Sequence, residues 1–250
     1  MRAKYRFIFF DVDSTIVTIE GIDVLANGNP EIVRLTDAAM NGEVPLDEVY
    51  ARRLEIIRPS RADVEALGRR YVESLVPGAS ETIAALQRAG ADVHLVTAGI
   101  AQAIAPLAAK LGIAARAVHA VSLQFDENGN YRDFDRRSLL TRNGGKELVV
   151  HAVLARAKGR SAFIGDGVSD LETKPVVSLF IGFGGVHTRA RVMENAEVYV
   201  REPSLAAVLP YLLQEESLGS SEFLGSSEED AASHSEELRG TPRNPRNSHR

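Results

Sequence analysis

Short runs that are apolar on both faces recur along this chain: "FIFFDV" (7–12), "DVHLVTA" (92–98), "SAFIGD" (161–166), "SLFIGF" (178–183) and "EVYV" (197–200). A strand with one wet face alternates polar and apolar residues, whereas a strand covered on both faces does not. These runs therefore predict a parallel sheet with helices on each side. Helical patterns lie between them. "SETIAALQRAG" (80–90) opens with a candidate cap, Ser80, and stops at Gly90; "IAQAIAPLAAKLG" (100–112) and "KELVVHAVLARAKG" (146–159) share its spacing and its glycine stop. The fold class that follows is α/β, a doubly wound, Rossmann-like parallel sheet.

Residues 17–75 interrupt the alternation. They are helix-rich, broken at Gly42–Pro45 and at Pro59, with no clear strand. They predict a small helical insertion after the first strand, leaving a core of residues 1–16 and 76–214. Residues 121–135, "VSLQFDENGNYRDFD", alternate around an Asn-Gly pair and predict a hairpin. Beyond about residue 214 the chain is rich in Ser, Glu, Arg and Pro, with a small repeat, "SLGSSE" then "FLGSSE". Such a composition buries too little apolar surface to offset its ordering entropy, so residues 215–250 are expected to be a disordered tail.

Several function classes fall away. With a net charge of −5 and no Lys/Arg block before the tail, the chain lacks a nucleic-acid footprint. The absence of cysteine excludes disulfides, thiolate nucleophiles and Cys-ligated zinc. The apolar run after "MRAKYR" ends within four residues, short of the ~7–15 of a signal peptide. No run approaches the ~20 residues of a membrane span. The expectation is a soluble, unprocessed, cytoplasmic protein without nucleic-acid or membrane partners.

The chemistry gathers where strands end. Asp11 and Asp13 follow the first apolar run, and on an extended strand residues i and i+2 face one side. In "FIGDGVSDLE", Asp166 stands at a second strand end, with Asp170 four residues on. Two acidic clusters at strand ends argue for a shared hard cation, for which Mg²⁺ with carboxylates, waters and phosphate oxygens is suited. Thr97 ends a third strand. Lys146 begins a helix after Gly144-Gly145, a placement that a phosphate partner explains better than the helix dipole does. A carboxylate nucleophile, an acid/base carboxylate, a metal site, a hydroxyl and a lysine make a kit for phosphoryl transfer.

In that order, DxDST, Thr97, Lys146 and GDGxSD, the chain resembles the haloacid dehalogenase-type phosphatases. "DVDSTIVTIEGIDVLA", "AAMNGEVPL", "RRLEIIRPS", "LQFDENGNY", "GDGVSDLET" and "FIGFGG" resemble the phosphoserine phosphatase branch of that superfamily, over residues 7 to about 212. The resemblance implies that Asp11 is the nucleophile and Asp13 the general acid/base. It implies Mg²⁺ held by Asp11, the backbone carbonyl of Asp13, and Asp166, with Asp170 in support. Thr97, Ala98, Gly99, Lys146 and Ser169 would surround the phosphoryl group. Glu20 would face the substrate amine, Arg53 its carboxylate, and Met40 and Asn41 would line the pocket. The implied reaction is hydrolysis of O-phospho-L-serine, the last step of serine biosynthesis. The alternative is a related phosphatase or phosphotransferase acting on another small phosphomonoester, such as phosphohomoserine or phosphoethanolamine. The chain departs from the family at Thr97-Ala98-Gly99-Ile100 (usually Ser-Gly-Gly-Phe), at Leu46 (usually Phe) and at Asn41 (usually Gly). Removing residues 215–250 is expected to leave phosphatase activity unchanged. Steady-state kinetics of truncated and full chains check this, and a large loss would show that the tail is no passive appendage.

Overall fold

In the computed structural model, which describes residues 1–215, the apolar runs lie side by side. The strands are β1 (Arg2–Ala3), β2 (Phe7–Phe10), β3 (Asp92–Ile100), β4 (Val118–Val121), β5 (Leu123–Phe125), β6 (Tyr131–Phe134), β7 (Ser161–Gly165), β8 (Leu179–Phe183), β9 (Val198–Val200) and β10 (Leu213–Gln214). Six of them form a sheet in the order β4–β3–β2–β7–β8–β9, and every pair in it is parallel. The helices are α1 (Gly21–Leu25), α2 (Pro30–Met40), α3 (Leu46–Ile57), α4 (Arg61–Glu73), α5 (Ala79–Arg88), α6 (Ala101–Lys110), α7 (Gly145–Leu154), α8 (Val168–Leu171), α9 (Ala190–Asn195) and α10 (Leu209–Leu212).

The strand order locates the functional edge. The chain leaves β2 for β3 and β4 on one side and later returns to β7, β8 and β9 on the other. Such a reversal opens a crevice beyond the carboxyl ends of the strands, where open α/β sheets bind ligands. Register brings three chain segments to that crevice together. Phe10 pairs with Leu95 on β3 and with Ile164 on β7, so Asp11, Thr97 and Asp166 emerge at the same edge.

The core explains the apolar runs. Phe9, Phe163 and Phe180 are fully buried on neighbouring strands, with ring centroids 6.4 and 6.3 Å apart and nearly parallel planes. Helices α1 to α4 arise between β2 and β3, in the stretch that breaks the alternation. Ser60 and Asp63 form a reciprocal capping box that starts α4 immediately after Pro59. Residues Gly42–Pro45 separate α2 from α3, as the breaker residues suggest. Among the described residues no helix is long and apolar enough to cross a membrane.

Some local expectations change. β2 ends at Phe10, so Asp11 and Asp13 lie in the turn beyond it and not on extended strand; the Asp11 amide still pairs with the Ile164 carbonyl at 3.0 Å. α5 starts from Gly78, whose left-handed backbone (φ 76°) turns the chain two residues before Ser80, so Ser80 lies inside the helix and caps nothing. The hairpin is β5–β6, with Asn128-Gly129 at its turn, but the residues just before it form β4, an edge strand of the main sheet. Strand β4, "VHAV", is too short to announce itself. The tail from residue 216 lies outside the described residues.

Truncating Phe163 to Ala should cost about 3–5 kcal/mol, because the ring sits on a central strand between two others and its space cannot collapse. Urea denaturation of Phe163→Ala beside wild type checks this through the unfolding midpoint.

Candidate active site

The turn after β2 is shaped by its own residues and by the helical insertion. Asp11 is buried, with its Oδ1 2.9 Å from Lys146 Nζ and accepting a 2.8 Å bond from the Val12 amide. Ser14 occupies left-handed backbone (φ 54°), an uncommon conformation for a residue with a side chain and a mark of a constrained turn. Its hydroxyl donates to Glu20 Oε1. Asp13 is aimed from the insertion: the Gly21 amide and the Tyr71 hydroxyl each donate to its Oδ1 at 2.8 Å. A side chain at position 21 would run into Tyr71, its Cβ falling 1.9 Å from the hydroxyl oxygen, so glycine is required there.

The second acidic set lies beside the first. Asp166 accepts from Arg189 Nε at 3.2 Å and from the Thr15 hydroxyl at 3.4 Å. Asp170 accepts from Lys146 Nζ at 2.6 Å and from the Gly167 amide at 2.9 Å. Lys146 thus bridges Asp11 and Asp170 with almost no solvent access. Burial alone would lower its pKa, but those two carboxylates outweigh it and hold the ammonium charged.

The carboxylates outnumber the cations facing them, and their protonation shows it. Burial, followed by the Asp11 charge, pushes Asp13 up to about 7, Asp166 up to about 6 and Asp170 up to about 8. Burial, followed by Asp13, also raises Glu20 well above the ordinary glutamate range. Asp11, Asp166 and Asp170 bring buried carboxylate oxygens within 4.8 Å of one another. An all-oxygen, charge-excess cluster of this kind fits a hard divalent cation. Protein donors already hold all three: Lys146 and Gly167 hold Asp170, Lys146 and Val12 hold Asp11 through Oδ1 alone, and Arg189 and Thr15 hold Asp166.

Above these groups a cavity is lined by Asp11, Asp13, Glu20, Met40, Arg53, Thr97, Ala98, Gly99, Lys146 and Ser169, so most of the sequence-predicted residues meet there. Asp166 and Asp170 sit beneath the lining. Asn41 does not join it; this exposed residue accepts a 3.3 Å bond from Arg189 instead. Arg53 is 6 % exposed and donates to Thr36 Oγ1 at 3.2 Å, while its buried Nε has no partner. β3 runs past Thr97 to Ile100, so Thr97 stands within the strand and not at its end; its hydroxyl accepts from the Gly99 amide at 2.9 Å where the strand's register shifts between Val96 and Ile100. Ala98, whose extra methyl departs from the family pattern, offers its carbonyl to the Tyr50 hydroxyl at 2.9 Å.

Tyr50, Tyr71, Arg189, Asn143 and Glu172 escape a reading of the sequence. The two tyrosines sit at helical spacing among apolar residues and read as core. Arg189, in "GGVHTRA", and Asn143, in "TRNGGK", carry no spacing that points to a ligand.

Residues 8–173 match the family model for haloacid dehalogenase-like hydrolases. The chain belongs to that family. It is 37 % identical over 199 residues to the phosphoserine phosphatase of Homo sapiens and 36 % identical over 199 residues to that of Bos taurus, each alignment covering 78 % of this chain and 88 % of the relative. A solved phospho-aspartyl intermediate analogue of a phosphoserine phosphatase has the same fold, with a TM-score of 0.73 at 24 % identity, covering 84 % of this chain and 100 % of that one. These relationships make this haloacid dehalogenase-like hydrolase a phosphoric monoester hydrolase.

The raised carboxyls link stability to pH. Asp13, Asp166 and Asp170 keep protons when folded at pH values where the unfolded chain, with carboxyls near 4, has lost them. The native state then binds more protons than the unfolded state, so stability falls as pH rises from about 4 to about 8. Urea midpoints of the metal-free protein between pH 5 and pH 8 should decline, and Asp170→Asn should flatten the upper part of that decline. A midpoint independent of pH would contradict the assignment.

Proposed function

We propose that this hydrolase converts O-phospho-L-serine and water to L-serine and phosphate, in a Mg²⁺-dependent reaction that passes through an aspartyl-phosphate on Asp11. The observation that carries the reading is the Asp13 carboxyl. Its Oδ1 is occupied by two donors, and its pKa of about 7 keeps a proton available at neutral pH. That proton belongs on Oδ2, which faces the space kept open at Gly99: a Cβ there would lie 3.3 Å from Oδ2.

The steps follow from these positions. An Asp11 carboxylate oxygen attacks phosphorus, and the bond from phosphorus to the seryl oxygen breaks. Asp13 passes its proton from Oδ2 to that leaving oxygen. Now ionised, Asp13 takes a proton from water, the hydroxide attacks phosphorus, and the bond to Asp11 breaks to release phosphate. Lys146, Thr97 and Ser169 hold the phosphoryl oxygens, and Lys146 screens the carboxylates while negative charge gathers. Asp11, the Asp13 backbone carbonyl and Asp166 would hold Mg²⁺, whose charge when bound offsets that of the phosphoryl group.

Substrate choice rests on the other end of the cavity. Arg53 and Glu20 line it together, one cation for a carboxylate and one carboxyl group that an incoming ammonium would hold ionised. The unpartnered Nε of Arg53 is a donor in want of an acceptor. The phosphoserine phosphatases to which the chain is similar support the same substrate.

Phosphate release from phosphoserine, phosphohomoserine and phosphoethanolamine, with and without Mg²⁺, tests the reading. Asp11→Asn should abolish release. Arg53→Ala should raise KM for phosphoserine about 10- to 100-fold, as loss of a charge-assisted bond implies, and move phosphoethanolamine, which has no carboxylate, far less. Equal turnover of phosphoserine and phosphoethanolamine by the wild type would sink the role of Arg53.

A further inference from the structure

Leu46 opens α3, and its amide is one of the donors that every helix start leaves without an intrahelical partner. The residue in the capping position is Pro45, which makes no side-chain cap bond. The acceptor comes instead from 97 residues further along the chain: Asn143 Oδ1 takes the Leu46 N–H at 2.8 Å. Asn143 belongs to the loop that leads into α7, and that loop is tightly held. Gly144 is left-handed, and its amide donates to Glu172 Oε2 at 2.7 Å. A Cβ at Gly145 would fall 1.8 Å from the Leu139 carbonyl oxygen. The next residue is Lys146, bonded to Asp11 and Asp170.

One rigid loop therefore holds both the lysine of the phosphoryl site and the start of α3. Leu46, Tyr50 and Arg53 are spaced four and three residues apart, share one face of α3, and all line the cavity. A shift of α3 along or about its axis moves all three. We infer that Asn143 is a positioning residue: it caps α3 in trans and sets the depth at which Tyr50 and Arg53 stand over the cavity. This rests on the reading of Arg53 as the substrate-carboxylate partner. It couples the end of the site that selects the substrate to the end that holds phosphate.

The test compares Asn143→Ala with Asn143→Asp, which keeps an acceptor of the same reach. Loss of an N-cap corresponds to about a 3- to 30-fold change in an equilibrium. Asn143→Ala should raise KM for phosphoserine within that range, leave kcat within about twofold, and move KM for phosphoethanolamine by less than twofold. Asn143→Asp should restore KM to within about threefold of wild type. Amide hydrogen exchange on the substrate-free protein gives a second readout, faster over residues 46–57 in Asn143→Ala and restored in Asn143→Asp. An Asn143→Ala protein with wild-type KM and wild-type exchange overturns the inference, as does failure of Asn143→Asp to restore both. Wild type without activity on phosphoserine would instead strike at the substrate reading, and the exchange measurement would still decide whether Asn143 caps α3.

Discussion

Lys146 bridging Asp11 and Asp170 is the interaction on which the site depends. Two carboxylates at a sheet edge, both shut away from water, repel each other. One ammonium, itself buried, lies 2.9 Å from the first and 2.6 Å from the second. Removing one partner of such a group leaves an uncompensated buried charge, commonly worth several kcal/mol. The glycines before Lys146, the loop they form, and the placement of α7 all serve to bring that ammonium to this point. What Lys146 leaves unbalanced appears in Asp13, Asp166 and Asp170, which lean toward their protonated forms. The same shortage of positive charge that disfavours the empty site prepares it for a cation and for a proton donor.

Much of the fold could be read directly from residue patterns, because continuous apolar runs and glycine-stopped helices report burial, and burial decides the layers. The acidic residues were legible too, since strand ends in a parallel sheet converge. Extended-strand geometry for Asp11 and Asp13 was not correct: β2 stops at Phe10, and the relation between the two carboxylates comes from a turn containing left-handed Ser14. Ser80 looked like a cap because its type is right, yet Gly78 had already turned the chain. Asn41 carried a family position without reaching the cavity.

The residues that could not be read share a physical reason. Tyr71 and Tyr50 use their rings as core and only their hydroxyls as polar groups, and no periodicity reports where a hydroxyl points. Asn143 meets Leu46 across 97 residues, and Arg189 meets Asp166 across 23. Such pairings are set by how two packed bodies meet, which local pattern does not encode. Relatives at 37 % identity help with residue types but not with contacts that depend on departures such as Asn41.

The bond from Tyr71 to Asp13 has a consequence for how this molecule can be rebuilt. Tyr71 lies on α4, in the helical segment inserted between β2 and β3, while Asp13 lies in the turn that follows β2. The insertion is therefore no interchangeable lid. Grafting the corresponding segment from another hydrolase would bring a new substrate wall and would also re-aim the carboxyl proposed to move the proton. Chimeras that keep the pair of Gly21 and Tyr71 retain that aim, and those that trade it away must supply two donors to Asp13 from somewhere else.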